Sequence, residues 1–517
     1  MAETGDWITP RLYGRPWFEK PPLLYWGGAI FFKLLPSEPE IAARLPSSIC
    51  ALFATLALAW LAWRTYGEEC ARWLLLLLPS SVGMIGFSHA CATDMPFAGM
   101  LAIAMVCAAV VLGLTRSDED TPILPRTPWT ALLLFGFFIG LAVLAKGPAA
   151  LILTGGTVFF WAVFTKCWRD AFRLLHPAAI ATFCATALPW YILCSRRNPD
   201  FFRVFIIEHN FKRYLTPEFQ HVQPFWFYIP ILFVAFLPWS LMLIWAAISR
   251  WREYARTRTV QPLSLLLLVF AIFCLLFFSI SKSKLPGYVL PAVPAIGLLL
   301  AQSIQKYQLT YRSSFIGFAL AGALKFLVIS GLGILAVSGL ISLRITRTGG
   351  GTLVLGLIAF VFALSNVFLV FARRWRKTPS QIPLPPLAGT PVLIAVFLSH
   401  FWLMPLLAPD RSGRTLSREL RPQRAERQDL FVASISRGMH FSLNFYLRKE
   451  VPRWNPESPR PGFVLTQSTD CPITAQISYV CSSKPHEFYV SGFWGHEITI
   501  GDSLTGFGSG GKPKQEK

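Results

Sequence analysis

At 517 residues, 54% hydrophobic and only 15% charged, the chain is too apolar for an ordinary soluble domain, in which about a quarter of the residues carry charge. Its formal net charge of +21, from 48 Lys+Arg against 27 Asp+Glu, would suggest nucleic acid in a soluble protein. In a membrane chain the same charge belongs at loops that face lipid phosphates, and without a Gly-rich phosphate loop of the P-loop or dinucleotide type no nucleic-acid partner is expected.

The chain begins polar, MAETGDW, which does not read as a signal peptide. Residues 1–42 read as an outer interfacial loop. Within it 23–35 (LLYWGGAIFFKLL) is too short to span and carries Lys33, so a helix lying at the interface is predicted. Twelve spans follow, at about 43–63, 70–88, 93–114, 130–146, 148–166, 177–195, 225–248, 262–280, 287–303, 314–342, 352–372 and 389–407, each close to the roughly 20 residues that cross the hydrocarbon. An even count puts both termini on one side. If that side is extracytoplasmic, RTYGEECAR, TKCWRD, SRWREYARTRT and ARRWRK fall inside, as the positive-inside rule expects. Basic residues in 1–44, 196–213 and SKSK (281–284) then lie outside, against the rule, and an anionic lipid head group is one reason for them. From 408 to 517 the chain turns polar, with strand-like runs at 463–466 and 486–500. A small extracytoplasmic α/β domain with a disordered end is predicted there. Eight cysteines, Cys50 to Cys274, lie in or beside apolar segments and read as small buried residues. Cys471 and Cys481 stand alone in the tail, as one disulfide or two free thiols.

Several charged residues sit at span mouths. WFEKPPLLYW (17–26) sets Glu19 and Lys20 before a Pro-Pro pair that fixes extended backbone. An acid and a base are thereby aimed by a rigid turn, the alternative being a solvated loop. Asp94 opens the third span, where a carboxylate is costly unless solvated, paired or functional. Lys146 precedes Gly-Pro at a sharp turn and would hold a phosphate as a point charge or snorkel. The loop 196–224 carries Glu208, His209, Lys212 and Arg213, with His209 and Arg213 on one helical face. Lys282 and Lys284 stand before a proline at the next span. Lys325, mid-span, is a site candidate or a snorkelling lysine. Together these imply an outer cavity whose bases suit a lipid phosphate. Its acids suit hydroxyl activation or a positively charged sugar-like transition state.

FEKPPLLYW, ARLPSS, TDMPF, LAKGPAAL, ALPWYI, EHNFKRYL, QPFWFYIP, FLPWS and SKSKLPGYVLPAVP, in this order over about residues 5–300, resemble motifs of the bacterial aminoarabinose transferase / protein O-mannosyltransferase-like family of GT-C membrane glycosyltransferases. The tail resembles that family's outer domain mainly in SLNFYL (442–447). The resemblance implies an all-α polytopic GT-C domain over 1–407, with the catalytic loop at 196–224 and an outer C-terminal domain over 408–517. It implies an inverting enzyme of the bacterial inner membrane that moves a sugar from a polyprenyl-phosphate donor to a glycolipid, lipid A-like, or to a protein. A flippase of lipid-linked saccharides is the runner-up. Carried across, Glu19 and Asp94 match catalytic acids; Lys20, Lys146, Arg213, Lys282 and Lys284 match lipid-phosphate positions; and Glu208 and His209 line the cavity. No cofactor is required by this reading, and Glu19 with His209 is a candidate divalent-metal site. The family places a further spanning helix and an acidic motif, resembling the catalytic base, before the GDW segment. A chain beginning at MAETGDW is therefore read as having its start set too late, with a fragment or an inactive relative as alternatives.

Overall fold

The computed structural model describes residues 1–115, 128–212, 223–237, 239–310, 413–420, 430–433, 435–453, 463–466, 488–492 and 497–500. The chain divides into two units, 1–336 with 359–396, and 337–358 with 397–517.

The described part of the first unit is mostly helical. After a two-stranded hairpin, β1 (Arg11–Leu12) and β2 (Arg15–Pro16), come α1 (Leu23–Leu34), α2 (Pro39–Tyr66), α3 (Glu68–Leu77), α4 (Val82–Ser88), α5 (Asp94–Val111), α6 (Trp129–Lys146), α7 (Ala149–Thr165), α8 (Trp168–Arg173) and α9 (Pro177–Arg197). A π-helix (Arg203–Lys212) and a 3-10 turn (Phe225–Phe227) lead to α10 (Tyr228–Ala235), α11 (Ser240–Thr257), α12 (Pro262–Ile280), a second 3-10 turn (Pro286–Val289) and α13 (Ala292–Thr310). Among the described residues five helices are long and apolar enough to cross a membrane: α2, α5, α6, α9 and α12. The number rises to seven if each of two bent pairs is one span. Helix α5 is apolar all round, with every residue from Met95 to Ala109 buried. Such a helix has no lipid face and forms the centre of a bundle. The spans expected at 314–342, 352–372 and 389–407, and Lys325 with them, lie outside the described residues.

Two expected spans are not single helices. Residues 70–88 form α3 and α4, which meet at 64°, and 225–248 form the Phe225–Ala235 segment and α11, which meet at 115°. The sequence has Pro79 and Pro238 at these breaks, and proline lacks the N–H that would continue the helix. Hydropathy averages over such a break and does not see it. The freed backbone groups serve each other: the Val82 N–H donates to Leu237 O at 3.0 Å. The Trp239 indole donates to Ser80 Oγ at 2.9 Å. Irregular backbone at membrane depth is tolerated where protein supplies such partners. The expected span 287–303 likewise starts as a 3-10 turn before α13, and the span 148–166 is a 17-residue helix. Not all eight cysteines are buried: Cys91 is exposed, in the turn between α4 and α5.

Helices approach closely through small residues, the usual device where lipid gives no hydrophobic drive. A Cβ on Gly136 of α6 would lie 2.0 Å from the Ala179 carbonyl of α9.

In the second unit the described residues form a four-stranded sheet in the order β3 (Leu430–Ala433), β4 (Phe463–Thr466), β5 (Phe488–Gly492), β6 (Glu497–Ile500). Strands β3 and β4 are parallel and the other pairs antiparallel. The run expected at 486–500 is thus two strands. Helix α15 (Arg437–Leu447), between β3 and β4 in the chain, packs on α14 (Gly413–Leu420). It starts at Ser436, whose hydroxyl accepts from the Met439 N–H at 3.2 Å.

The Gly136 approach is testable. Gly136→Ala should lower the melting temperature of the purified protein, by the roughly 1–3 kcal/mol typical of overpacking. Gly155→Ala should not, because a Cβ there meets nothing within 4 Å and alanine favours helix. Equal melting of the two variants would refute the α6–α9 packing.

Candidate functional site

Helices α5 and α6 lie side by side and antiparallel, so the N-terminus of one meets the C-terminus of the other. Asp94 is the first residue of α5 and Lys146 the last of α6. Each charge suits the helix dipole at its own end, and the two side chains join at 2.5 Å between Lys146 Nζ and Asp94 Oδ1. Lys146 is 8% exposed and Asp94 20%. Gly147 ends α6 with φ +95, a region that side chains avoid. Pro148 then starts the next helix at once. The LAKGP motif is therefore the local chemistry that strands a lysine at a helix end. The ammonium also lies over the ring of Tyr288 at 4.3 Å and near that of Phe97 at 5.4 Å, contacts that favour a desolvated cation.

Asp94 is held from several sides. In the ARLPSS motif of α2, Ser48 Oγ donates to Ser88 O at 2.8 Å and Ser47 Oγ to Ala92 O at 3.4 Å. These bonds tie down the turn that delivers Asp94. Gly287 lies against the carboxylate, where a Cβ would stand 2.7 Å from its carbon. Glu19 and Lys20, in the turn before α1, are half-buried. The charge of Lys20 acts on Asp94. Burial raises the Tyr25 hydroxyl well above its ordinary value, and the charges of Glu19 and Cys91 add to the shift.

Around this centre the other expected residues separate. Lys284 is buried and donates to Ser281 O at 2.6 Å and Gln223 O at 3.0 Å. Burial and the neighbouring Lys282 push its ammonium below the ordinary lysine value. Lys282 itself is exposed. Glu208 is in the π-helix, 4.0 Å from Arg203. The backbone of His209 lies in that helix, but its side chain, like all of Arg213, lies outside what the structure describes. Among the described residues no three His, Cys, Asp or Glu side chains converge as a metal site. The sequence pattern did not single out Tyr288, Gly287 and the two serines. KLPGY and ARLPSS held the signal, as uncharged neighbours of the charged motifs.

Glu19 also faces a second space. A half-open cavity of ≈ 440 Å³ lies between the turn Pro16–Glu19 and the end of α9 with the following residues Arg197–Asp200 and Val204. Its walls are tied together through the N-terminal strap. The Trp190 indole donates to Ile8 O and the Trp26 indole to Trp7 O, both at 2.8 Å. The Asn198 amide donates to Thr9 Oγ1 at 3.0 Å. Asp6 accepts from the N–H groups of Ile8 and Thr9 and pairs with Arg11 and Arg197. Burial alone would raise its carboxyl; these hydrogen bonds and guanidinium groups outweigh it and hold Asp6 below the usual carboxylate value.

The model of the family "Dolichyl-phosphate-mannose-protein mannosyltransferase" matches residues 1–205. An undecaprenyl phosphate-alpha-4-amino-4-deoxy-L-arabinose arabinosyl transferase of Sodalis glossinidius is 35% identical over 305 residues, covering 58% of this chain and 52% of the relative. A Serratia proteamaculans protein of the same name is 30% identical over 385 residues, covering 72% and 66%. The chain thus spans about half the length of the first of these curated relatives. In structure it is similar to ArnT from Cupriavidus metallidurans, crystallised bound to undecaprenyl phosphate. That likeness has a TM-score of 0.74 at 20% identity and covers 95% of this chain and 91% of that one, and it is a likeness of fold.

Breaking the ion pair should be costly. Asp94→Asn leaves the buried Lys146 without a counter-charge and should destabilise the protein by about 3–5 kcal/mol, while Asp94→Asn with Lys146→Met should recover much of that loss. Thermal melts of the three proteins decide it, and strictly additive effects would show that the side chains do not pair. The Asp6 clamp has a definite sign. Its folded pKa is depressed, so its stabilisation is present above the ordinary value of 3.8 and is lost as pH falls through the lower folded value. Limited proteolysis of the strap should accelerate in that acid range in the wild type. In Asp6→Asn it should be fast at neutral pH already; a wild-type rate in that variant would remove the clamp.

Proposed function

The chain belongs to the bacterial aminoarabinose transferase / protein O-mannosyltransferase-like family of GT-C glycosyltransferases, and from that premise we propose that it moves a sugar from a polyprenyl-phosphate donor to a glycolipid of the cell envelope. The observation that carries the reading is the Asp94–Lys146 pair, buried at one end of the helix bundle within the field of Lys20. A half-buried acid and two bases at a helix mouth are expensive to desolvate and suit a phosphate-bearing substrate.

In this reaction the acceptor hydroxyl attacks the sugar carbon, the bond to the phosphate oxygen breaks, and the phosphate leaves with the electron pair. Configuration inverts. Lys20 and Lys146 neutralise the leaving phosphate, Asp94 keeps the Lys146 ammonium in place, and Glu19 takes the hydroxyl proton. Lys282, which is exposed, contributes charge to the head group in this proposal. Lys284 has one N–H left after its two backbone bonds. Arg213, Glu208 and His209 complete the phosphate and cavity set in this proposal. A divalent ion on Glu19 and His209, if present, would supply further charge neutralisation at the phosphate, and sensitivity of transfer to a chelator tests it.

The setting proposed is the bacterial inner membrane, crossed about twelve times by residues 1–407, with residues 408–517 and the site on the outer face. Five helices apolar enough to span among the described residues support it, together with the basic ends of α8 and α11 at the opposite end of the bundle. A protein acceptor is the alternative to the glycolipid.

The experiment is sugar transfer from a polyprenyl-phosphate donor to lipid A in membranes carrying the chain. Lys20→Ala should weaken donor binding by about 1–3 kcal/mol, the worth of a charge-assisted hydrogen bond. Glu19→Gln should abolish most turnover with donor binding intact. Unchanged donor affinity in Lys20→Ala, or full turnover in Glu19→Gln, would contradict the assignment.

A further inference from the structure

We infer that Tyr228 is a positioning residue for the transfer: its hydroxyl is the donor that takes up the Asp94 carboxylate when Lys146 turns to the leaving phosphate. The inference rests on the transferase reading above and adds an uncharged residue that acts on the phosphate through the ion pair.

Tyr228 is the first residue of α10 and only 2% exposed. The chain around it fixes its place. Pro224 and the 3-10 turn Phe225–Phe227 lead into α10, with the Phe227 N–H donating to Pro224 O at 3.1 Å. The Phe227 ring meets the Tyr228 ring edge-on at 5.3 Å. Lys284 ties the segment 281–288 to this turn through Gln223 O at 3.0 Å. Helix α10 packs against the second 3-10 turn, Pro286–Val289. That short segment touches three members of the site. The Leu285 backbone lies beside the Tyr228 hydroxyl, Gly287 lies against the Asp94 carboxylate, and Tyr288 covers the Lys146 ammonium at 4.3 Å. The charge of Asp94 acts on Tyr228 in turn.

What sets this tyrosine apart is an unused proton. A phenolic hydroxyl both donates and accepts. The Tyr228 oxygen lies beside the Leu285 N–H, but it forms no fully aligned hydrogen bond, as donor or acceptor, with any described group. Other tyrosines of the bundle are satisfied: Tyr191 donates to Val143 O at 3.2 Å, and Tyr66 shares a bond with Ser264 at 3.0 Å. A buried hydroxyl without a partner costs free energy, and a phenylalanine would fill the same space without it. A group kept at a cost to stability points to a use. Full burial keeps the hydroxyl from touching the phosphate directly, so it acts through a neighbour.

The ion pair supplies the need. In this structure Lys146 Nζ holds Asp94 Oδ1 at 2.5 Å. When the bond between the sugar carbon and the phosphate oxygen breaks, charge collects on the phosphate and draws the ammonium toward it. Asp94 then loses its counter-charge where a bare carboxylate is costly. Its simplest relief is to take a proton from Lys146, which would turn the cation into a neutral amine and remove its charge from the phosphate. A hydrogen bond to the ionised carboxylate opposes that proton transfer. Tyr228 supplies the bond and keeps its own proton throughout, and Lys146 stays an ammonium.

The test uses the full chain in lipid nanodiscs, with a polyprenyl-phosphate sugar as donor and lipid A as acceptor. Tyr228→Phe removes one oxygen. It should lower kcat about 10- to 100-fold, the worth of a charge-assisted hydrogen bond. The donor KM should be unchanged and the melting temperature unchanged or raised. Tyr228→4-aminophenylalanine, which returns a donor to the same place, should recover most of the lost turnover. Tyr66→Phe is the contrast: it loses a formed bond, should melt lower and should keep full turnover. A second readout needs no activity. In Lys146→Met the cation is gone and Asp94 turns to Tyr228, so adding Tyr228→Phe should lower the melting temperature by several degrees, the reverse of its effect alone. Unchanged kcat in Tyr228→Phe, a rise in the donor KM in place of the fall in kcat, or a melting loss like that of Tyr66→Phe overturns the inference. If the wild type transfers no sugar at all, the transferase reading fails separately. The sign reversal in Lys146→Met then decides: its presence sustains the bond from Tyr228 to Asp94, and its absence overturns it.

Discussion

Two antiparallel helices end beside each other with opposite dipoles, and a carboxylate and an ammonium meet where they do. The rest of the site depends on that pair. A lone lysine at 8% exposure would be neutralised or driven outward, because desolvating one charge costs several kcal/mol. With Asp94 at 2.5 Å, and the faces of Tyr288 and Phe97 nearby, the positive charge is kept in a place of low dielectric, where charges interact strongly. The surrounding motifs serve to hold the pair. ARLPSS restrains the turn before Asp94, LAKGP ends α6 at the lysine, and Gly287 leaves room for the carboxylate.

The same economy of backbone bonding governs the breaks in the bundle. Both broken helices occur at a proline, and their free groups bond across from one break to the other. The bends are therefore packed against protein rather than lipid. Helices α4 and α10, one from each broken pair, are in contact.

Much of this was legible in the sequence. The apolar runs that became α2, α5, α6, α9 and α12 were long enough to identify by hydropathy alone. Glu19, Lys20, Asp94 and Lys146 stood out because charge beside an apolar run is expensive. What the sequence did not disclose was pairing. Asp94 and Lys146 are 52 residues apart, and nothing in either motif says that they bond to each other rather than to a ligand. Lys284 looked like Lys282 in the sequence, yet one is buried on backbone carbonyls and the other exposed. Tyr288 escaped notice because an uncharged ring carries no cost signal. The Asp6 clamp and the cleft it braces were equally hidden, since they join residues 6–19 to 190–204.

The central claim is that the donor phosphate sits beside Lys20, against the Asp94–Lys146 pair. Its most direct test is a structure of the full chain with a polyprenyl phosphate bound, determined by cryo-electron microscopy in nanodiscs. The account predicts phosphate density within hydrogen-bonding reach of Lys20 and adjacent to Lys146, and none in the Trp17–Val204 cleft. Phosphate density inside that cleft, on Arg197, would contradict it.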